Sequence, residues 1–276
     1  MLIDVHVHII SHLTPDGCLL TVDDLLRELD RHRIDKAVVL PLENPEAFSR
    51  PTTTWEAIEV CRPHFDRLIP FCIVDPRVNE NTPETDFVAY ITPYLEAGCK
   101  GFGEHKVSLY IDDPRSLSIY RACGELAIPI LIHFDDDLNM DEPGLPRFEK
   151  VLRQFPQTVF IGHGPAWWAN MSGEVDLNVT YPEGKLAPGG AVQRLLGEYD
   201  NIYGDLSARS AHNALTRDLE HAREFLHGYS KKLLFGTDLF TRGQELPIVA
   251  FLREFGLESD DWENISHANL ETLLGP

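Results

Sequence analysis

The first predicted strand of the chain ends in two histidines separated by one residue, in Asp4-Val5-His6-Val7-His8. Residues two apart on a strand point to the same side, so His6 and His8 share one face while Val5 and Val7 share the other. If the two valines meet helices, both imidazoles point inward, where their nitrogens suit a divalent metal. Taken alone, such a pair also fits polar residues on an exposed sheet edge.

Three further strand ends carry side chains of the same chemical kind. His133 ends the fifth candidate strand, His163 the sixth and Asp238 the eighth. Each has a structural alternative, because a single histidine is often a hydrogen-bonded core residue and Asp238 could cap the following helix. Together with the first histidine pair, these residues predict one metal site built from four strand ends.

The fourth candidate strand adds Glu104 and Lys106, which share one side of the strand. If Glu104 bridges, two metals could lie about 3.5 to 4 Å apart, as in two-metal hydrolases. The alternative for Glu104 is a salt bridge to Lys106 or another internal pair. Lys106 is a candidate contact for a substrate anion or, if carboxylated, a bridging ligand. Imidazole and carboxylate ligands without thiolate predict one or two divalent ions, Zn first, with Mn, Fe or Co as alternatives.

Elements that could position these residues follow from the alternation of apolar runs with helix-like segments, the pattern of parallel βα units. The predicted strands are 2–8, 36–40, 68–74, 100–107, 129–134, 158–163, 201–205 and 232–238. The 276 residues are close to the roughly 250 of a single α/β barrel, so we predict one domain, 1–276, with a (β/α)8 TIM-barrel fold. An open doubly wound sheet is the alternative. Residues 260–274 are predicted to form an extra helix.

The connection 164–190 is long and has little regular periodicity. Such a loop is usually functional or disordered, and its aromatic residues favour an ordered lid over the barrel mouth. Trp167 or Trp168 is expected to contact a small-molecule substrate, with packing of the loop as the alternative. Asp205, at the end of the seventh candidate strand, is a candidate hydrogen-bond partner of a ligand. The acidic run 135–137 is interpreted as a solvated loop.

The charge balance limits the partners of the protein. With 24 basic and 44 acidic side chains, the net charge of −20 makes nucleic acid an unfavourable partner. The five cysteines are scattered without a paired spacing, which favours reduced thiols and a cytoplasmic location. No segment reaches about 18 apolar residues, so no membrane contact is expected. The oligomeric state stays open, a homo-oligomer included.

These motifs resemble the amidohydrolase superfamily, specifically the amidohydrolase-related group of TIM-barrel metal-dependent hydrolases, over nearly the whole chain. The matching segments are 4–8, His133, 162–164, 236–238 and a closing stretch, 265–274, that contains Asn269. The resemblance implies that four side chains bind metal and that His163 binds a second metal or polarises the substrate. The four implied ligands are His6, His8, His133 and Asp238.

Gly103-Glu104 is similar to the glutamate segment of TatD-type nucleases, which are relatives of this group, and this likeness implies a binuclear site. The lysine ligand on strand four of phosphotriesterase-like proteins is lacking unless Lys106 serves. The number of metal ions therefore stays open between one and two.

The predicted activity is that of a hydrolase. Metal binding lowers the pKa of water from 15.7 toward about 7, and Asp238 would accept the water proton and return it to the leaving group. The metal and His163 would stabilise the charge that develops on the substrate. The expected substrate is a small amide, cyclic amide or lactone whose C–N or C–O bond is cleaved. Alternatives are a metal-dependent decarboxylase, a TatD-like phosphodiesterase or nuclease, and an inactive binding or scaffold barrel.

Overall fold

The chain folds around a closed sheet of parallel strands. The computed structural model describes residues 1–15, 17–47, 51–79 and 81–275. Over these residues the strands are β1 Ile3–Val7, β2 Lys36–Val39, β3 Leu68–Pro70, β4 Phe102–His105, β5 Ile130–His133, β6 Phe160–His163, β7 Ile202–Asp205 and β8 Leu233–Leu234. Each strand lies inside a stretch predicted from the sequence and is shorter than that stretch.

Two parallel sheets, β1 to β3 and β4 to β8, join along both edges. The backbone N–H of Val5 donates to the carbonyl oxygen of Phe235 at 2.9 Å, which links β1 to the β8 side. The N–H of Cys72 donates to the carbonyl oxygen of Gly101 at 2.9 Å, which links the β3 and β4 sides. The strands therefore form the predicted barrel rather than an open sheet.

Helices connect the strands. In the described ranges they are α1 Val22–Arg31, α2 Thr54–Cys61, α3 Phe87–Glu96, α4 Pro114–Glu125, α5 Pro146–Gln154, α6 Pro165–Ala169, α7 Ala191–Glu198, α8 Ala208–Thr216, α9 Leu219–Gly228, α10 Pro247–Glu254, α11 Ser259–Glu263 and α12 Asn269–Leu274. A capping box of Thr21 and Asp24 starts α1, and Asp113 caps α4. None of these helices combines the length and apolar character that crossing a membrane requires.

Strand side chains alternate between an inner cluster, formed mainly by the strands, and an outer cluster shared with the helices. In β5, for example, Leu131 lies in the inner cluster and Ile132 in the outer one. In β1, Val5 lies in the inner cluster and Val7 in the outer one, so the prediction that the two valines share one face is wrong. The pairing register of β1 shifts between Asp4 and Val7, and this irregularity interrupts the strict alternation.

The end of the chain closes the barrel at the start of the strands. Helices α11 and α12 are joined by a π-helical turn, Asn264–Ala268, so the segment predicted as an extra helix is helical. Leu270 joins the inner cluster, and the side-chain amide of Asn269 donates to the carbonyl oxygen of Leu233 at 2.8 Å. Since apolar packing fills this end, the functional residues lie at the other end, where the strands finish.

The connection 164–190 begins with the short helix α6, which carries both tryptophans into the core. Trp167 and Trp168 are 0% and 1% exposed. The ring of Trp167 packs so closely over Gly162 that a Cβ there would lie 2.6 Å from it, and Trp168 Nε1 donates to the carbonyl oxygen of Asp205 at 3.1 Å. The predicted substrate contact of these tryptophans is therefore wrong, because packing on the barrel encloses both rings.

Candidate metal centre at the carboxyl end of the barrel

The two histidines of β1 face each other at the centre of the barrel mouth. Nε2 of His6 lies 3.0 Å from Nε2 of His8. The opposite nitrogen of each ring is held by an acceptor: His6 Nδ1 lies 2.7 Å from Asp205 Oδ2, and His8 Nδ1 lies 2.9 Å from the carbonyl oxygen of Leu40. Both imidazoles are buried, which rules out the exposed-edge alternative.

These hydrogen bonds fix the chemistry of the inward nitrogens. A carbonyl oxygen and a carboxylate only accept hydrogen bonds, so the Nδ1 atoms of His6 and His8 carry the protons. In neutral rings, both Nε2 atoms then present lone pairs toward each other. Two lone pairs at 3.0 Å repel unless a cation lies between them or beside them. This arrangement, with an acceptor holding the far side of each ring, fits the donor set of a divalent metal.

Two carboxylates complete the surroundings of this histidine pair. Asp238 Oδ1 lies 3.5 Å from His6 Nε2 and 3.4 Å from His8 Nε2. Glu104 Oε2 lies 3.9 Å and 3.6 Å from the same two nitrogens. Within the described residues, two triplets have all their ligand atoms within 4.8 Å of one another, namely His6, His8 and Asp238, and His6, Glu104 and His163.

His163 shares its orienting carboxylate with His6. Asp205 Oδ2 lies 2.9 Å from His163 Nδ1 as well as 2.7 Å from His6 Nδ1. The hydroxyl of Ser207 donates to the same oxygen at 2.7 Å and lies 2.9 Å from His163 Nδ1. Asp205 therefore acts as the expected hydrogen-bond partner, while the role of Ser207 was missed. Its position two residues after Asp205 is the signal that could have indicated it.

His133 lies at the predicted strand end, but the structure does not bring it into either triplet. Its Nδ1 lies 2.7 Å from Glu104 Oε1, and its Nε2 lies 3.3 Å from Asp135 Oδ2. Both ring nitrogens thus lie close to carboxylates, one of them on the predicted ligand Glu104, and direct metal binding by His133 stays a prediction. Asp135 also departs from the solvated-loop interpretation, since it is half-buried against this ring.

Glu104 carries a full negative charge at the centre of this cluster. Burial acts to raise its pKa, but the Lys106 ammonium and the His133 imidazole hold the pKa well below the usual range. No direct ion pair between Glu104 and Lys106 occurs in the described part of the chain, but Glu104 pairs with His133 at 2.7 Å, so the alternative holds as another internal pair and not as a salt bridge to Lys106. Lys106 is half-buried and acts on Glu104 through its charge rather than through contact.

The remaining charges are balanced across the cluster. Burial acts to raise the pKa of Asp238, but the nearby imidazoles, His6 foremost, leave it below its usual value. Burial and His163 act to lower the pKa of His6, yet Asp238 and Asp205 leave it raised. The carboxylates and imidazoles therefore favour each other's charged forms. A divalent ion at this site would take the place of the imidazole protons, because a ring nitrogen must be unprotonated to bind a metal.

Asp4 ties β1 to the end of β8 beneath the site. It accepts hydrogen bonds from the Thr237 hydroxyl at 2.6 Å, from the Thr237 N–H at 3.0 Å and from the His6 N–H at 3.0 Å. Burial raises the pKa of Asp4 to about 7. Because Thr237 precedes Asp238 and Asp4 holds the backbone of His6, one buried carboxyl fixes the relative position of two candidate ligands.

A cavity of about 790 Å³ opens beside Asp238, within the usual size range for a small-molecule site. It is lined by Asp238 and Thr237 of the β8 end, by Arg209 of α8, by Tyr181 of the connection 164–190 and by apolar residues that include Phe240. The side chain of Asp238 is 23% exposed, whereas His6 and Glu104 are 0% and 2% exposed. Asp238 thus connects the buried cluster with the cavity.

Comparison with known proteins places this chain in a family. A family model described as amidohydrolase matches residues 3–269. Similar solved structures include an uncharacterised TIM-barrel protein from Bordetella bronchiseptica, which is 16% identical with a TM-score of 0.71 and coverage of 99% of this chain and 98% of that chain. A comparison with curated protein sequences gives no match.

Two further solved structures have named activities. A candidate 2-pyrone-4,6-dicarboxylic acid hydrolase from Pseudomonas putida is 13% identical, with a TM-score of 0.67 and coverage of 99% of this chain and 97% of that chain. A dihydroxybenzoic acid decarboxylase from Polaromonas sp. JS666, with bound manganese and the inhibitor 2-nitroresorcinol, is also 13% identical, with a TM-score of 0.57 and coverage of 99% and 96%. These likenesses show the fold. Because the family model spans nearly the whole chain, the protein belongs to the amidohydrolase family of TIM-barrel enzymes.

Proposed function

We propose that this protein is a metal-dependent hydrolase that cleaves a C–N or C–O bond of a small organic amide, cyclic amide or lactone. The position of Asp238 carries the proposal. Its Oδ1 lies 3.4 Å from His8 Nε2, while its side chain is 23% exposed and lines the cavity. Asp238 can therefore act on a substrate in the cavity while it remains in contact with the buried cluster.

We assign His6, His8 and Asp238 as ligands of one divalent ion and Glu104 and His163 as ligands of a second. His6 belongs to both triplets, but its Nδ1 is held by Asp205, so its Nε2 is assigned to the first ion alone. When bound, such an ion supplies Lewis acidity, which lowers the pKa of water and polarises a carbonyl oxygen. Zinc is the ion that we expect first, with manganese, iron and cobalt as alternatives for the same donor atoms.

The proton transfers are assigned to Asp238. Its lowered pKa keeps the carboxylate ionised at neutral pH, which a general base requires. One carboxylate oxygen faces the histidines, and the other is free to accept the proton of an attacking water. The resulting carboxylic acid returns that proton to the leaving nitrogen or oxygen, so the residue ends the cycle in its starting form.

Three further residues support this chemistry. His163 is oriented by Asp205, and its Nε2 faces Glu104 Oε1 at 3.8 Å. This fixed position favours His163 as a metal ligand rather than as a general acid. His133 is proposed to hold Glu104 in place. Lys106 keeps Glu104 ionised, and its ammonium is proposed to contact an anionic group of the substrate.

A decarboxylase is the second candidate function, and the likeness to the manganese-containing dihydroxybenzoic acid decarboxylase favours it. The same residues would then hold an ion able to bind the substrate carboxylate, and Asp238 would first take up a proton from the substrate or from solvent and then deliver it to the carbon that loses CO2. The two reactions use the same residues but differ in the fate of water. Hydrolysis adds the elements of water to the products, whereas decarboxylation does not.

An experiment in H2¹⁸O separates the two reactions. Metal-loaded protein is incubated with a panel of lactones, cyclic amides and hydroxybenzoic acids, and the masses of the products are measured by mass spectrometry. We expect ring-opened acids that carry one ¹⁸O atom, formed at least about 100-fold more slowly by Asp238→Asn protein prepared in parallel. Release of CO2 without ¹⁸O in the organic product would replace the hydrolase assignment with the decarboxylase. No turnover of either class would favour the inactive barrel.

A further inference from the structure

The cavity beside Asp238 contains a cationic side chain that the proposed reaction does not use. We propose that Arg209 binds a carboxylate group of the substrate, so that the protein acts on a small organic acid with an apolar body. The inference rests on the proposed function for the reaction, but it concerns binding and is tested without turnover.

Arg209 is placed at the rim of the metal centre by the end of β7. It is the second residue of α8 and comes two residues after Ser207, whose hydroxyl lies 2.9 Å from His163 Nδ1. It lines the same cavity as Asp238 and Thr237. A substrate group held by Arg209 therefore lies in the same small cavity as Asp238, the carboxylate that performs the proton transfers.

The guanidinium of Arg209 lacks an ion pair with any described carboxylate, although the chain has 44 acidic residues and a net charge of −20. Many other described arginines of this protein pair with acids, although some exposed ones outside the cavity, such as Arg223, do not. Arg77 binds both Asp75 and Glu46. An exposed arginine without an acidic partner, in a cavity of so acidic a protein, is available to an anion from outside. Its planar donors match a carboxylate with two parallel hydrogen bonds.

Tyr181 fixes the orientation of this guanidinium. The Cζ atom of Arg209 lies 4.6 Å from the centre of the Tyr181 ring, a cation–π contact. This contact uses the ring rather than a hydrogen-bond acceptor, so the guanidinium N–H groups stay available to donate to an anion. Tyr181 belongs to the connection 164–190, which also contributes to the wall of the cavity. The predicted lid therefore contributes a tyrosine to the site rather than its tryptophans.

The rest of the cavity wall favours an organic acid over an inorganic anion. Phe240, Leu246 and Ile248 provide apolar surface for a carbon skeleton. Glu245 lines the same cavity and, with Asp238, opposes an anion of higher charge such as phosphate. A single arginine beside apolar side chains thus fits one carboxylate on a small ring or chain.

The test measures binding with matched acids and amides. Isothermal titration calorimetry on the metal-loaded protein uses benzoate and isophthalate, each paired with its primary amide, and inorganic phosphate. We expect the wild type to bind at least one acid more tightly than its amide. Arg209→Gln should weaken binding of that acid about 10- to 100-fold and leave the amide unchanged, while Arg209→Lys falls between.

Arg223→Gln is the matched control, because Arg223 is also exposed and stacks on an aromatic ring, Phe255, but does not line the cavity. It should leave the preference for acids unchanged. The proposal is overturned if the wild type binds neither acid, if phosphate binds as tightly as the acids, or if Arg209→Gln retains the preference. Failure of hydrolysis in H2¹⁸O would leave these affinities unaffected, so the two proposals fail separately.

Discussion

Nε2 of His6 lies 3.0 Å from Nε2 of His8, and the two rings are held from the two sides of β1. Asp205 at the end of β7 holds the first ring, and the carbonyl oxygen of Leu40 after β2 holds the second. The histidines are two residues apart in sequence, whereas Asp205 is 199 residues from His6. Barrel closure thus brings the orienting groups to the pair and leaves both lone pairs facing inward.

Asp205→Asn should weaken metal binding about 10- to 100-fold, because His6 and His163 both lose the carboxylate that fixes their tautomer. A titration against a chelator of known affinity measures the change. Asp200→Asn is the control, since Asp200 lies just before the same strand with an exposed side chain. Equal affinity in the Asp205 variant and the wild type would contradict the orienting role.

Asp238→Asn should retain at least one equivalent of metal and lose turnover by about 10²- to 10⁴-fold, because an amide cannot accept the water proton. Metal content by mass spectrometry and steady-state kinetics on the same sample separate the two effects. Asp66→Asn is the matched control, because Asp66 is exposed and does not line the cavity, and it should keep most of the activity. Near wild-type turnover in the Asp238 variant would remove it from the proton-transfer role.

Metal removal should lower both activity and stability. A site filled at about 100 times its Kd contributes about 2.7 kcal/mol to the free energy of unfolding, and dialysis against a chelator removes that contribution. Adding Zn²⁺ or Mn²⁺ should restore the melting temperature and turnover. Mg²⁺ should not, because it prefers oxygen ligands and this cluster offers imidazole nitrogens. An unchanged melting temperature after complete chelation would argue against an occupied centre.

His105 should make the protein sensitive to acid. Its ring is fully buried between Phe102 and Tyr120, and burial lowers its pKa from 6.5 to about 4. Because the folded pKa lies below the unfolded one, the neutral ring favours the folded state above pH 6.5, and this contribution is lost as the pH falls toward 4.

His105→Phe removes that titration while it keeps an aromatic ring among aromatic neighbours. The free energy of unfolding of the wild type, measured by denaturant titration, should fall relative to the variant by about 2 to 3 kcal/mol between pH 7 and pH 4. The comparison uses the change in the free energy of unfolding with pH for each protein. Any pH-independent loss of stability caused by the substitution therefore cancels. Parallel pH profiles for the two proteins would show that His105 does not titrate as its burial implies.

Much of the barrel could be predicted from the sequence, because alternating apolar runs and helix starts are local signals. The strand ends at His6, His133, His163 and Asp238 followed from the rule that barrel sites form at the carboxyl ends of strands. The inward direction of Val5 could not be predicted, since it depends on a register shift in β1 that only pairing with β2 reveals.

Other parts of the site depend on tertiary contacts that have no local signature. The ring of His133 faces Glu104 and Asp135 because the β4 and β5 ends lie side by side. Arg209 could not be distinguished from a surface arginine, because its unpaired state and its stacking on Tyr181 exist only in the fold. The two tryptophans were misjudged because a glycine, Gly162, makes room for one of them against β6.

The most direct test of the metal centre is a crystal structure of protein purified without chelators, with anomalous diffraction collected on both sides of the zinc and manganese absorption edges. We predict an anomalous peak within about 2.0 to 2.3 Å of His6 Nε2, His8 Nε2 and a carboxylate oxygen of Asp238. A second peak beside Glu104 and His163 would establish two ions. A site with no anomalous density, and with the two imidazoles bridged by a proton or water, would contradict the account.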